Sequence, residues 1–254
     1  MAKIKPSLSK TELMSLPSQA EAKFYLACKS QLPGDFLVLF SVPWIGTAYS
    51  GRKYDGEADF VILSPHYGML VVEVKGGGVE FDPGSGKWHS TDRGNKRHDI
   101  KNPFEQAKKE KHVLLGILLK HAFWKKKMAG KILLGHAVML SDVESPELTA
   151  PDSPMEILGG NNHLSDLFKW VQSVFEYWAG HDDAWSALGL AGVKTVESIL
   201  SAPLSARPLL SRRLQIEEDR RLELTKQQGR VLRAIGPRSR AIVSGGAGTG
   251  KTVL

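Results

Sequence analysis

At 254 residues, 42% hydrophobic and 24% charged, the chain has the make-up of an ordinary globular protein of one large or two smaller domains, without low-complexity tracts or internal repeats. Its single cysteine, Cys28, excludes an intramolecular disulfide and suits a reducing, cytoplasmic compartment. No apolar run approaches membrane-spanning length, and Met1–Lys5 has no apolar stretch behind it that would make a signal peptide. The formal charge of +7 is unevenly spread: residues 206–254 hold eleven Lys and Arg against four Asp and Glu, leaving residues 1–205 neutral. That basic stretch reads equally well as a solvated linker or as a nucleic-acid contact surface.

In chain order, Ser18–Leu32 predicts a helix. Ser18 is the N-cap, Glu21 completes a capping-box pattern, and Phe24, Ala27, Cys28 and Leu32 follow helical spacing. Three strands are predicted at Phe36–Val42, Glu57–Leu63 and Met69–Lys75, with shorter extended pieces at Val79–Asp82 and Lys87–Thr91. Asn102-Pro103 opens a long helix expected to reach about Trp124, and Lys131–Leu140 is apolar enough for a buried strand. The acidic, proline-bearing Ser141–Leu158 reads as a loop, Leu164–Trp178 and Leu188–Leu200 as helices, and Ala202–Pro208 as a domain boundary. Helix, three strands, helix, strand is the order of an α/β layer structure. The scattered histidines show no ligand spacing, and Phe168, Trp170, Phe175, Tyr177 and Trp178 read as helix packing.

The most informative stretch is Gly56–Leu63, Ser64–Gly68 and Met69–Lys75, two strands around a hairpin connector. If Leu63 faces Met69, then Val61 faces Val71, Asp59 faces Glu73 and Glu57 faces Lys75, all on one side of the sheet. Opposed carboxylates about 5 Å apart repel unless a cation lies between them. Oxygen donors of this kind favour Mg²⁺ or Mn²⁺. A surface hairpin with a Glu57–Lys75 ion pair explains the same spacing without chemistry.

These residues resemble the nuclease-related domain (NERD) family, a branch of the PD-(D/E)XK nucleases. The resemblance rests on Glu21, on Glu57-Ala58-Asp59, on Val72-Glu73-Val74-Lys75-Gly76-Gly77 and on Asn102-Pro103-Phe104-Glu105-Gln106, and it covers about residues 17–140. It implies a restriction-endonuclease-like core, with Asp59, Glu73 and Val74 at a metal, Lys75 as the motif lysine, Gln106 as an orienting side chain and Glu21 as an accessory carboxylate. The implied chemistry is hydrolysis of DNA phosphodiesters, RNA remaining open; a non-catalytic DNA-binding or interaction module is the alternative. Glu57 stands open between third ligand and ion-pair partner of Lys75. The glycines Gly76–Gly78 read first as a turn, and second as a place for close approach of a nucleic-acid backbone.

Near the C-terminus, Gly245-Gly246-Ala247-Gly248-Thr249-Gly250-Lys251-Thr252 satisfies the phosphate-loop pattern in full. In that pattern backbone N–H groups cradle phosphates, the lysine reaches the outer phosphates and Thr252 ligates Mg²⁺. Leu224–Gln228 resembles the Q motif of superfamily 1 helicases, which implies that Gln228 reads adenine. The sequence therefore predicts residues 1–205 as a nuclease-like domain with a helical extension over 164–201. Residues 206–254 are predicted as a basic linker and the start of an ATP-binding P-loop NTPase domain. ATP turnover is not expected from this chain, because no later acidic strand or arginine finger follows the loop. A helicase partner or a second copy of the chain would be the protein partner.

Overall fold

The computed structural model describes residues 1–47, 51–92, 94–122, 124, 132–146, 153–180, 185–202, 230 and 233. Expectations for Gln228 and for the phosphate loop, Gly245, Gly246, Ala247, Gly248, Thr249, Gly250, Lys251 and Thr252, therefore lie outside the described residues. The chain divides into two units, Met1–Ala202 and Pro203–Leu254.

The first unit opens with strand β1 (Lys3–Lys5) and helices α1 (Lys10–Met14) and α2 (Gln19–Gln31). Then come β2 (Leu37–Thr47), β3 (Lys53–Leu63) and β4 (Met69–Lys75), and a small meander of β5 (Gly78–Asp82), β6 (Lys87–Thr91) and β7 (Arg97–Ile100). Helix α3 (Pro103–Leu118), β8 (Leu134–Leu140), β9 (Leu158–Gly160), α4 (Leu167–Ala179) and α5 (Gly189–Leu200) complete the unit. The main sheet runs β1-β2-β3-β4-β8-β9; β2, β3 and β4 are antiparallel neighbours, while β8 joins β4 in parallel. This mixed arrangement needs a crossover between β4 and β8, and α3 supplies it.

Apolar alternation decides which helix covers which side. Phe60, Ile62, Leu70, Val72 and Val74 share one core with Phe24 and Tyr25 of α2 and Trp170 and Phe175 of α4. Val61, Leu63, Met69 and Val71 share the other with Leu114 and Leu118 of α3 and Val193 and Val196 of α5. In β4, residues Met69–Val72 are wholly inaccessible, as expected of a central strand covered on both faces. Aromatic edges interlock on the first side, with Phe24 and Phe60 T-shaped at 4.8 Å between centroids.

Several boundaries differ from the sequence expectation for identifiable reasons. Ser18 caps α2 by accepting the Glu21 N–H, but the reciprocal two-bond box forms at Ser9 and Glu12 instead. Helix α3 ends at Leu118 rather than near Trp124, and β2 and β3 run on to Thr47 and from Lys53, beyond the apolar stretch. The segment expected as a loop holds a short 3₁₀ turn, Met155–Ile157, and delivers β9 to the sheet edge beside β8. Strands β1 and β7 are too short and polar to carry a sequence signal. Among the described residues no helix is long and apolar enough to cross a membrane.

Candidate active site

The hairpin register is the expected one, with Leu63 opposite Met69 and Val61 opposite Val71, but the ladder ends at Phe60–Val72. Asp59 is therefore not held opposite Glu73 by main-chain bonds. Its Oδ2 instead accepts the Val74 N–H at 2.9 Å, so the side chain replaces the missing strand partner. The reason lies on the other neighbour. Ser41 of β2 has φ of +57°, and the β2–β3 pairs pass from Phe40–Phe60 to Val42–Ala58 around it. On one side of this distortion Phe40 and Phe60 face α2; beyond it Val42, Trp44 and Ala58 join the α3-side core. Strands β2 and β3 thus leave the sheet as a two-stranded arm, and Asp59 sits at its root.

Glu73 is 1% exposed near the end of β4. Its Oε1 accepts from Lys75 Nζ at 2.5 Å, while Oε2 has no hydrogen-bond partner. Burial, and then the negative charge of Asp59, push its carboxyl up to about 7 against the opposing pull of Lys75. Asp59 is raised by burial, with the Val74 N–H and Lys75 acting the other way. Burial works to lower the ammonium of Lys75, but Glu73, Asp59 and Glu110 outweigh it and the net shift is upward. Glu21 is raised by burial and by Asp59, which brings it into the same electrostatic cluster from α2.

Of the two roles left open for Glu57, the ion pair with Lys75 does not form. Glu57 is exposed on the arm and accepts from Ser41 Oγ at 2.7 Å, and Lys75 pairs with its own strand neighbour-but-one, Glu73. Val74 turns its side chain into the α2-side core, so only its backbone can face the carboxylates. Gln106 lines a cleft of about 480 Å³ together with Glu57 and Glu110. The glycines after Lys75 serve packing: Gly77 has φ of +73°, its N–H donates to Asp142, and a Cβ there would lie 2.2 Å from the Thr91 carbonyl oxygen.

One carboxylate of the cluster lies outside the sequence expectation. Glu110, one helical turn beyond Gln106, is 4% exposed with an unpartnered Oε2, and it lies against Glu73. Burial, followed by the charges of Glu73 and Asp59, pushes it up to about 9. The facing oxygens of Glu73 and Glu110 find no donor unless a proton or a cation lies between them. A signal for Glu110 existed: with Phe104, Ala107, Leu114 and Leu118 it falls on the buried stripe of α3, where a charged residue is out of place.

Among the described residues no group of three or more His, Cys, Asp and Glu is arranged to hold a metal ion. The donor set here is smaller: Asp59 at the root of the arm and Glu73 near the end of β4, its Oε2 facing only the Glu110 carboxyl. Mg²⁺ is commonly held by one or two carboxylates while keeping several waters, so these residues fit a hard divalent cation and not zinc.

No curated protein and no solved structure matches the chain. Residues 17–138 match the family model described as NERD, nuclease-related domain. The matched span takes in Glu21, Asp59, Glu73, Lys75, Gln106 and Glu110. The mixed α/β architecture fits a nuclease-like fold, and the match supports the NERD family, with a nuclease-related function, for residues 17–138 of this chain.

Proposed function

We propose that this site is a metal-dependent phosphodiesterase centre of the PD-(D/E)XK type, acting on DNA. The observation that carries the reading is the convergence of Asp59, Glu73 and Lys75 at the root of the arm, with Glu73 Oε2 buried and met only by the Glu110 carboxyl. Nothing in the packing of β4 needs a charged pair there, and two facing buried carboxyls are costly unless a proton or a cation lies between them.

Asp59 and Glu73 would hold Mg²⁺ or Mn²⁺, with the Val74 backbone beside them. When bound, the cation would polarise a scissile phosphate and lower the pKa of water at the site. Lys75 would then be released from neutralising Glu73, leaving its ammonium to stabilise negative charge developing on phosphate oxygens. Gln106, on the cleft wall, would orient the reacting groups, and Glu21 would add negative potential from α2. Residues 206–254, by their phosphate-loop and Q-motif patterns, are proposed as the start of an ATP-dependent helicase joined to this module. ATP would bind there with Mg²⁺ at Thr252.

The test is cleavage of labelled single- and double-stranded DNA by the full chain with Mg²⁺, Mn²⁺ or EDTA. Cleavage should require the metal, and Asp59→Ala, Glu73→Gln and Lys75→Ala should each abolish it nearly completely, because groups acting as one unit are not additive. Asp59→Ala and Glu73→Gln should also weaken Mn²⁺ binding measured by calorimetry, while Lys75→Ala should not. Unchanged Mn²⁺ binding in both carboxylate variants would refute the proposal. A specific observation favours one second reading: the two-carboxylate donor set is sparse, which suits a nuclease fold retained for binding alone. Metal-independent DNA binding without cleavage under any condition would select it.

A further inference from the structure

Glu110 is the member of the acid cluster that borders the cleft also lined by Glu57, Gln106 and Lys109; Asp59, Glu73 and Lys75 are not in its lining. Beyond Lys109 this cleft continues into a second depression of about 530 Å³ between the arm and α3, lined by Gly46, Tyr54, Lys109, His112, Gly116 and Lys120 among others. Lys109 borders both, so the two adjoin along the arm and α3. Their chemistry differs sharply. The first sets Asp55, Glu57, Glu105 and Glu110 beside Lys101 and Lys109; the lining of the second has no carboxylate, and it holds two lysines and a histidine.

The lysines keep their charge available. Lys109 Nζ lies 4.4 Å from the Tyr54 ring centroid and 5.6 Å from that of Trp44, and neither Lys109 nor Lys120 makes an ion pair among the described residues. Ring faces steady an ammonium without cancelling its charge. Lys109 is therefore fixed in place yet free to meet an anion. Gln106, Lys109, Val113 and Gly116 recur at three- and four-residue spacing, which puts them along one face of α3, and Lys120 follows two residues past its end. From Gln106 to Ile117 that face is about 16 Å long at about 1.5 Å per residue. At roughly 3.4 Å per stacked nucleotide of one strand, this accommodates four to five nucleotides.

We infer that the groove between the β2–β3 arm and α3 binds one polynucleotide strand, its phosphates against Lys109 and Lys120, leading to the acid cluster. The direction of the strand rests on the phosphodiesterase reading; the binding itself does not. A membrane surface would not enter a groove closed on one side by the arm. An acidic peptide offers the same charge with a different backbone, and the test separates it.

Gly116 gives access without damage to the fold, since a Cβ there meets nothing within 4 Å. Binding of a fluorescent oligodeoxythymidine to the full chain is followed by anisotropy in EDTA, across a series of salt concentrations. Gly116→Glu, which places bulk and negative charge in the groove, should weaken binding by about tenfold or more. Lys109→Gln and Lys120→Gln should each reduce the slope of log affinity against log salt by about one. Unlabelled oligodeoxythymidine should displace the probe far better than polyglutamate of equal charge. The basic segment 206–254 contributes equally to every variant, so affinity and slope unchanged in all three would overturn the inference. Absence of binding by the parent protein, or equal displacement by polyglutamate, would also overturn it. Gly116→Glu should unfold no earlier than the parent; if it does, the exposed Lys120→Gln decides. Binding is read in EDTA, where no metal-dependent cleavage occurs, so a failed groove and a failed catalytic reading give different results.

Discussion

Replacing Glu110 by Gln should make the metal-free protein more stable at alkaline pH and less sensitive to pH. In the folded chain Glu73 is raised to about 7 and Glu110 to about 9, against an ordinary value of 4.5. A carboxyl whose folded value is raised binds protons in the native state that the unfolded state has already lost. Its stabilising contribution is complete below the unfolded value and drains away as pH rises through the folded one. Between about pH 6.5 and about pH 8, one such proton is worth about 2 kcal/mol at about 1.36 kcal/mol per unit. For a domain near 200 residues that corresponds to a fall in Tm of about 4–8 °C. The histidines shifted by burial, His112, His136 and His163, all move downward, so they oppose this fall only near the lower margin of the window. Lys111, lowered to about 8 by burial, opposes it only at the upper margin and beyond. The carboxamide introduced in Glu110→Gln supplies a permanent donor to Glu73 and removes the linked proton. Thermal unfolding by circular dichroism in EDTA should show the parent losing stability over the window and Glu110→Gln losing less than half as much. Identical pH dependence in the two proteins, or a Glu110→Gln protein less stable than the parent at the upper pH, would refute the coupling of Glu110 to Glu73.

Two further outcomes test the scaffold around the site. Gly77→Ala combines a left-handed backbone with a Cβ driven against the Thr91 carbonyl, and should cost about 2 kcal/mol or more in urea unfolding. Asn102 accepts from the N–H groups of Phe104 and Glu105, so Asn102→Ala should cost about 1 kcal/mol, while Asn102→Ser should recover most of it.

What the sequence disclosed came from periodicity. The continuous apolar run of Met69–Val72 and its glycine bounds marked β4. The register assumed with Leu63 against Met69 is the one found, a slip by one residue being disfavoured because it would turn Val61 and Val71 away from α3. Ser18 and Asn102 marked helix starts by their side-chain oxygens. The site was harder to read, because its geometry depends on a departure from periodicity. Ser41 carries no mark of the backbone it adopts, yet its distortion ends the ladder, frees Asp59 to bond the Val74 N–H and draws Glu57 away from Lys75. Glu110 was hidden for the opposite reason: the strand pattern drew attention to the hairpin, and the misplaced charge lay on the helix behind it.

The arm has a consequence for association between chains. Over Lys53–Asp59, β3 pairs with β2 alone, and β1 reaches β2 only at Leu37–Leu39. Both margins of the ribbon therefore carry main-chain groups that no neighbouring strand among the described residues takes up, the usual template for unwanted strand addition. The ribbon's own residues discourage it. Pro43 has no N–H to offer, and Lys53, Asp55 and Glu57 stand exposed in alternate positions along β3, charged side chains of the kind that blunt an open strand edge. The same arm that forms one wall of the groove thus carries margins whose chemistry disfavours the addition of a further strand.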